Sequence, residues 1–144
     1  MAYTTINKST SFFNNILYTG NGSTQSITGV GFQPDFVWLK DRSNANAHRL
    51  NDSVRGATKF LASNNSDAET TQSAGLTAFD SDGFSLGSNS DYNGNSANFA
   101  SWNWKAGTTS GLSGGTITPS AYSINTTAGF GIYKYTGNGY AGAG

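Results

Sequence analysis

The chain has 144 residues, with eight basic and eight acidic side chains that cancel and form no run of either sign. This balance excludes the basic patch of a nucleic-acid-binding domain and gives no signal for an anionic membrane surface, so neither partner is expected. Cysteine is absent, which excludes disulfides, thiolate nucleophiles and cysteine-ligated metals.

Residues 1–11 are polar and predict an N-terminal arm. They lack the basic start and apolar stretch of an export signal, and no later run approaches the length of a membrane span, so a soluble chain is expected. Phe12 to Tyr18 is the first predicted strand, and Thr19-Gly20-Asn21-Gly22 is a turn that ends it. Thr24 to Thr28 predicts a short second strand.

The segment Phe36 to Asp41 predicts a central strand of the core. Pro34, two residues before this segment, has a fixed φ angle. The aromatic and β-branched residues of the segment fit a pleated, buried surface. Phe36, Trp38 and Lys40 share one face, and Val37, Leu39 and Asp41 share the other. Both faces begin apolar, which is typical of a strand inside a sheet and not at its edge.

Short extended segments separated by polar loops follow, namely His48 to Val54, Lys59 to Leu61, Gly75 to Phe79 and Phe84 to Leu86. Asp80-Ser81-Asp82-Gly83 predicts a hairpin turn, with a calcium loop as the alternative, because alternate carboxylates suit a hard cation. Phe84 occupies the third ligand position and no glutamate closes the loop, which favours the turn.

The segment Asn98 to Lys105 alternates so that Ala100, Trp102 and Trp104 share one face, and we expect both tryptophans to face the core. Gly129 to Tyr135 predicts a last strand. The predicted core consists of Phe13, Ile16, Phe36, Val37, Trp38, Leu39, Leu50, Leu61, Leu76, Phe79, Phe84, Leu86, Trp102 and Trp104.

An internal repeat relates the two ends of the chain. Phe13 and Tyr18-Thr19-Gly20-Asn21-Gly22 recur as Phe130 and Tyr135-Thr136-Gly137-Asn138-Gly139, shifted by 117 residues. Independent use of the same turn residues is one explanation. The other is a second copy of the domain that begins near Tyr122, whose lone strand must pair with the first domain, with a neighbouring subunit or with further chain.

Residues suited to catalysis are scarce. His48 is the only histidine and Glu69 the only glutamate, and no nucleophile elbow, phosphate loop or dinucleotide fingerprint is present. The sequence therefore predicts no enzyme, no metal site and no cofactor. Sugar binding stays open, because lectin sites combine an aromatic ring with polar loop side chains. Suitable groups lie in loops 42–48 and 87–96, unless they are ordinary solvated loop residues: Arg42, Asn44, His48 and Tyr92.

Five motifs occur in one order along residues 12–107: Tyr18 to Gly22, Gly31 to Arg42, Asp52 to Gly56, Phe79 to Gly87 and Trp102 to Gly107. This order resembles a domain family of virion-associated proteins of marine bacteriophages, especially cyanophages. In longer members a second copy starts with Gly-Phe-x-Ile-x-x-Tyr-Thr-Gly, to which Gly129 to Gly137 is similar. The resemblance implies a lectin-like β-sandwich displayed on a phage particle, and it supplies no catalytic residue.

The expected fold is all-β, an antiparallel β-sandwich of jelly-roll or concanavalin type, which the turn spacing also favours. The expected organisation is an arm (1–11), a sandwich (12–107), a Gly/Ser/Thr linker (108–121) and a C-terminal strand segment (122–144). From the resemblance we expect a virion location and a non-enzymatic tail-fibre or appendage module that binds host glycan, with capsid decoration as the alternative. The expected partners are other virion proteins, further copies of this chain and a host surface glycan.

Overall fold

The computed structural model describes residues 6–139. This range forms eleven strands, one four-residue helix and a 3₁₀ turn at Ser9–Ser11. The elements are β1 (Phe13–Thr19), β2 (Gln25–Ile27), β3 (Phe36–Asp41), β4 (Arg49–Asp52), β5 (Lys59–Leu61), β6 (Thr70–Thr71), β7 (Leu76–Asp80), β8 (Gly83–Leu86), α1 (Ser90–Asn93), β9 (Asn98–Trp104), β10 (Ala121–Asn125) and β11 (Phe130–Lys134).

Nine of the eleven strands form two antiparallel sheets that pack face to face. One has the order β1-β9-β3-β4-β5-β6 and the other the order β2-β8-β7. Residues of both sheets share one apolar core, including Val37, Leu39 and Phe99 from the first and Leu76 and Phe84 from the second. The predicted all-β antiparallel sandwich is confirmed. No helix within residues 6–139 is long and apolar enough to cross a membrane.

The central position predicted for β3 is also confirmed, since β9 and β4 flank it. Buried and partly exposed residues alternate along the strand, and Val37 and Leu39 are fully buried. The predicted hairpin is present as β7 and β8, with Asp80 paired to Gly83. A side chain on Gly83 would overlap the carbonyl oxygen of Ile27, so only glycine fits this turn.

The expectation that Trp102 and Trp104 face the core is wrong. The buried face of β9 carries Phe99, Ser101 and Asn103, each with no exposed surface. Alternation leaves open which face is buried, and here the polar residues are inside, where the Asn103 amide nitrogen and the Ser101 hydroxyl are hydrogen-bonded and only the Asn103 side-chain oxygen has no partner among residues 6–139. The Asn103 amide donates to the carbonyl of Asn14 at 3.0 Å and to the Ser101 hydroxyl at 3.1 Å.

The tryptophans lie on the outer face of the six-stranded sheet, which is turned away from the second sheet. Strand register places seven residues of the predicted core there instead of between the sheets. The outer face comprises Phe13, Asn15, Leu17, Phe36, Trp38, Lys40, Leu50, Leu61, Ala100, Trp102 and Trp104.

The turn after β1 is locked to the segment around α1. Asn93 has no exposed surface, and its amide nitrogen lies within hydrogen-bond distance of three oxygens, those of the Asn21 side chain (3.0 Å), Ser23 (2.5 Å) and Gly87 (3.0 Å). Its side-chain oxygen accepts from the Asn21 N–H at 3.0 Å. This lock ties the end of the edge strand β1 to the second half of the domain.

Strands β10 and β11 pair as a hairpin that forms a sheet of its own. An isolated bridge joins Thr108, at the start of the predicted linker, to Ile124 of β10. The Ser123 hydroxyl donates to the buried carboxylate of Asp35 at 3.2 Å. These contacts attach the C-terminal hairpin to the sandwich.

Candidate functional site

A recess of about 170 Å³ lies on the outer face and is lined by Trp38, His48, Trp102 and Trp104. Trp38 and Trp102 are directly opposite each other on β3 and β9. Their ring centroids are 6.1 Å apart with an interplanar angle of 63°. Both tryptophans are partly exposed, so the recess presents aromatic surface to solvent.

His48 is held against this aromatic surface by a hydrogen bond. The indole N–H of Trp38 donates to Nδ1 of His48 at 2.8 Å, and the ring centroids are 5.7 Å apart. An Nδ1 that accepts a hydrogen bond carries no proton, so the neutral imidazole is protonated at Nε2. The backbone N–H of His48 donates to the Asn64 side chain at 3.1 Å, which fixes the start of β4. His48 therefore offers a positioned Nε2–H donor beside the indole rings.

The C-terminal hairpin limits the exposed aromatic surface on one side. The Phe130 ring stacks on Trp104 with centroids 6.0 Å apart and an angle of 20°. The centroid of the Phe130 ring is also 6.2 Å from that of Phe36, and the centroids of Phe13 and Trp104 are 4.9 Å apart. Trp104 is thus the boundary between the part of the outer face covered by the hairpin and the part that stays open at Trp38 and Trp102.

The loop between β3 and His48 is rigidly built around two charged residues. Lys40 Nζ donates to the carbonyls of Asp41 (2.6 Å), Asn44 (3.2 Å) and Asn46 (2.8 Å). The Asp41 carboxylate is 1 % exposed and accepts from the backbone N–H groups of Ser43 and Asn44 and from the side-chain amides of Asn44 and Asn46. This network positions the loop that leads to His48.

Burial alone would raise the pKa of Asp41, but hydrogen bonds from Asn44, Ser43 and Asn46 outweigh it and hold the pKa below the ordinary value of 3.8. A carboxyl whose pKa is lowered by folding stabilises the fold above its unfolded pKa, and this contribution is lost as the pH falls through the folded value. We therefore expect the free energy of unfolding to decrease as the pH is lowered past about 4.

Asp41→Asn is expected to lower the stability at neutral pH and to make the acid-induced loss smaller. Urea unfolding of both proteins between neutral and acidic pH measures this difference. Asp67→Asn is the matched control, because Asp67 is exposed in a polar loop. Equal pH slopes for wild type and Asp41→Asn would contradict this role of Asp41.

The four residues proposed from sequence lie in different environments. His48 lines the recess. Arg42 is exposed, and its guanidinium makes no hydrogen bond or ion pair with residues 6–139, while its backbone N–H donates to the carbonyl of Asn98. The Asn44 amide donates to Asp41 at 2.9 Å, which gives it a structural role in the loop.

Tyr92 does not belong to a ligand-binding loop, and this prediction is wrong. The residue is 1 % exposed, lies in α1 and is part of the core between the sheets. Its hydroxyl donates to the Asn51 side chain at 3.3 Å, and its carbonyl accepts from the Tyr18 hydroxyl at 2.6 Å. Burial raises the pKa of Tyr92 to about 12, so the phenol stays protonated as a donor.

Trp38 and Trp102 were missed as site residues because large aromatic side chains in strands are most often buried. The signal that could have identified them is the polar face of the same strand. Ser101 and Asn103 alternate with the tryptophans, and buried Asn and Ser are possible when hydrogen bonds satisfy them. Leu50, which lies opposite Trp38 on the neighbouring strand β4, is also only partly buried, as expected for a residue of the outer face.

Acidic residues elsewhere have structural partners. Glu69 lies 3.6 Å from Arg55 and 3.9 Å from Lys59, and Asp82 accepts from the backbone N–H groups of Gly29 and Gly31. Among residues 6–139 no group of three or more His, Cys, Asp or Glu side chains is placed to hold a metal ion. The recess itself contains no carboxylate among its lining residues.

No curated protein matches the sequence, and no solved structure matches it. The model of one protein family matches residues 8–144, which includes both sheets and the C-terminal hairpin. Its description is "Domain of unknown function (DUF7483)". Because the match extends over nearly the whole sequence, the chain belongs to the DUF7483 family.

Proposed function

We propose that this domain is a non-enzymatic structural component of a bacteriophage virion, a tail-fibre or appendage module that binds a host surface glycan. The order of sequence motifs supports the virion assignment through its resemblance to marine phage proteins. The recess formed by Trp38, His48 and Trp102 carries the glycan assignment, because it combines aromatic surface with a fixed polar donor.

The recess suits one sugar ring better than a charged or extended ligand. The C–H face of a pyranose packs on indole rings, whose faces carry partial negative charge, and the sugar hydroxyls need donors and acceptors at the rim. The Nε2–H of His48 donates one such bond. Arg42 is exposed on the preceding loop and does not line the recess, so it would contact only a glycan that extends beyond the bound ring.

Binding without hydrolysis is the chemistry that these groups favour. Glycoside hydrolysis commonly uses two carboxyl groups on opposite sides of the scissile bond. The lining residues of the recess are three tryptophans and one histidine. They can hold a sugar and exclude water from its apolar face, but they supply no acid and nucleophile pair.

The experiment that tests the proposal is binding of the purified domain to a panel of immobilised bacterial surface polysaccharides. Trp102→Ala is expected to weaken binding to any polysaccharide recognised by about tenfold or more, since a stacked ring contributes about 1 kcal/mol beyond its buried area. Tyr133→Ala is the matched control, because Tyr133 is an aromatic residue on the hairpin that is 48 % exposed.

Circular dichroism of both variants establishes that the sandwich is retained. Two outcomes would contradict the proposal: failure of the wild-type domain to bind any polysaccharide of the panel, or equal weakening by Trp102→Ala and Tyr133→Ala. Partial quenching of tryptophan fluorescence by bound polysaccharide, lost in Trp102→Ala, would locate the ligand at the recess.

Capsid decoration is the second candidate, and the exposed surface at the C-terminal end of β11 favours it. Tyr133 and Tyr135 are 48 % and 61 % exposed on either side of Lys134, and exposed tyrosines are enriched in protein interfaces. In that case Tyr133→Ala, and not Trp102→Ala, would weaken saturable binding to empty capsids. Immunogold electron microscopy of intact particles separates the candidates, since label on tails supports adhesion and label over heads supports decoration.

A further inference from the structure

Strand β1 is an edge of the six-stranded sheet, with β9 on one side and no strand of residues 6–139 on the other. The Gly20 N–H donates to the Ala97 carbonyl, and the Lys105 N–H donates to the Phe12 carbonyl. Backbone groups alternate in direction along an antiparallel strand. Even-numbered residues of β1 therefore bond to β9, and the N–H and C=O groups of odd-numbered residues point away from the sheet.

Side chains cover part of this edge and leave its centre open. The Asn15 N–H donates to the Asn14 side chain at 3.0 Å, and the Thr19 carbonyl accepts from the Gln25 side chain at 3.2 Å. Leu17 lies between them, and its side chain is 63 % exposed. The edge carries no charge and no proline, the features that commonly prevent edge strands from pairing.

In the second occurrence of the repeated motif, the position that corresponds to Leu17 faces a neighbouring strand. A shift of 117 residues makes Lys134 of β11 the equivalent of Leu17. The carbonyl of Lys134 accepts from the N–H of Ser120 at 2.8 Å, and β10 lies along this side of β11. The second occurrence of the motif therefore uses, in a strand pairing, the backbone group that the first occurrence leaves exposed.

We propose that β1 pairs antiparallel with β1 of a second copy of this chain, with Leu17 opposite Leu17 at the two-fold axis. Each Leu17 then donates its N–H to the other's carbonyl, and neither group has a hydrogen-bond partner among residues 6–139. A two-fold arrangement closes on itself and does not extend into a fibre. The two six-stranded sheets become one continuous sheet, and the exposed leucine side chains cover each other.

This interface does not depend on the proposed glycan binding, but it would strengthen it. Pairing at the edge leaves the outer face open, so the dimer presents two recesses on one surface. Two linked sites bind a repeating polysaccharide more tightly than one. Affinity for a single sugar unit would be the same in monomer and dimer, which separates a failure of this proposal from a failure of the proposed function.

Sedimentation velocity of the full chain over a range of concentrations tests the proposal. The wild type is expected to form a dimer, and Leu17→Pro is expected to weaken it by about tenfold or more, because proline removes both N–H donors of the symmetric pair. Proline is tolerated at an outward-facing edge position, since it removes no bond to β9. Leu17→Ala is the matched control, because it keeps the N–H and is expected to retain more of the dimer.

Cysteine cross-linking tests the register without relying on the proline variant. The chain has no cysteine of its own. Directly opposed, hydrogen-bonded residues have Cα atoms about 5.5 Å apart, within reach of a disulfide. Leu17→Cys is expected to form a covalent dimer on mild oxidation, and Thr77→Cys, exposed on β7, is expected to stay monomeric. A monomeric wild type, or equal cross-linking at both positions, would overturn the proposal.

Discussion

Replacing Asn93 by aspartate is expected to lower the free energy of unfolding by about 3 to 5 kcal/mol, the usual effect of an uncompensated buried charge. The asparagine amide lies against oxygens of Asn21, Ser23 and Gly87 in a position with no exposed surface. Aspartate substitutes a charged acceptor for this donor, so four oxygens face one another. Because the total stability of a domain is commonly about 5 to 15 kcal/mol, this is a large share of it.

Urea unfolding followed by circular dichroism measures this effect at neutral pH. Asn95→Asp is the matched control, since Asn95 is two residues further along and exposed, and we expect it to change stability by less than about 0.5 kcal/mol. The loss in Asn93→Asp should shrink at acidic pH, because a protonated carboxyl is neutral and regains a donor. A loss independent of pH and equal to that of Asn95→Asp would show that the buried amide does not lock this turn.

The sequence predicts the strands well because their signals are local. Aromatic and β-branched residues between Gly, Asn and Asp turns indicate β1, β3, β8 and β9, and the Asp-Gly pair indicates the β7–β8 hairpin. What alternation cannot supply is which face of a strand is buried. In β9 the two choices were tryptophans or Ser101 with Asn103, and hydrophobicity alone selects the wrong one.

The reason lies in long-range hydrogen bonds. Asn103 bonds to the carbonyl of Asn14, 89 residues away in sequence, and Asn51 accepts from Tyr92, 41 residues away. Hydrogen bonds to such partners offset the free-energy cost of burying a polar group. Because the partners are distant in sequence, no local pattern predicts them. Once the polar faces are inside, the tryptophans must lie outside, where the hairpin covers Trp104.

The candidate site was predictable only in part for the same reason. The sequence identified His48 as a polar group suited to sugar binding, and the structure places it in the aromatic recess. Tyr92 looked like the only large side chain of a polar loop, but the loop contains α1, whose turn directs the ring into the core. A short helix within a Gly/Asn/Ser segment has no apolar periodicity from which it could be recognised.

Gly20→Ala is expected to destabilise the domain by about 3 kcal/mol or more, the upper range for overpacking. A Cβ on Gly20 would overlap the carbonyl oxygen of Gly94 and lie 2.8 Å from the carbonyl carbon of Asn93. Both are backbone atoms of the segment locked by Asn93, so they cannot rotate away as a side chain would. The strain must separate the end of β1 from α1, which also breaks the hydrogen bond from the Gly20 N–H to the Ala97 carbonyl.

The repeat supplies the matched control within the same chain. Gly137 is the equivalent of Gly20 in the second Tyr-Thr-Gly-Asn-Gly sequence, and a Cβ there would meet nothing within 4 Å. Gly137→Ala should therefore change the unfolding midpoint little, although the local sequence is identical. Thermal and urea unfolding of the two variants compare the same substitution in two environments. Equal losses would mean that the backbone of the motif, and not its contact with α1, requires glycine.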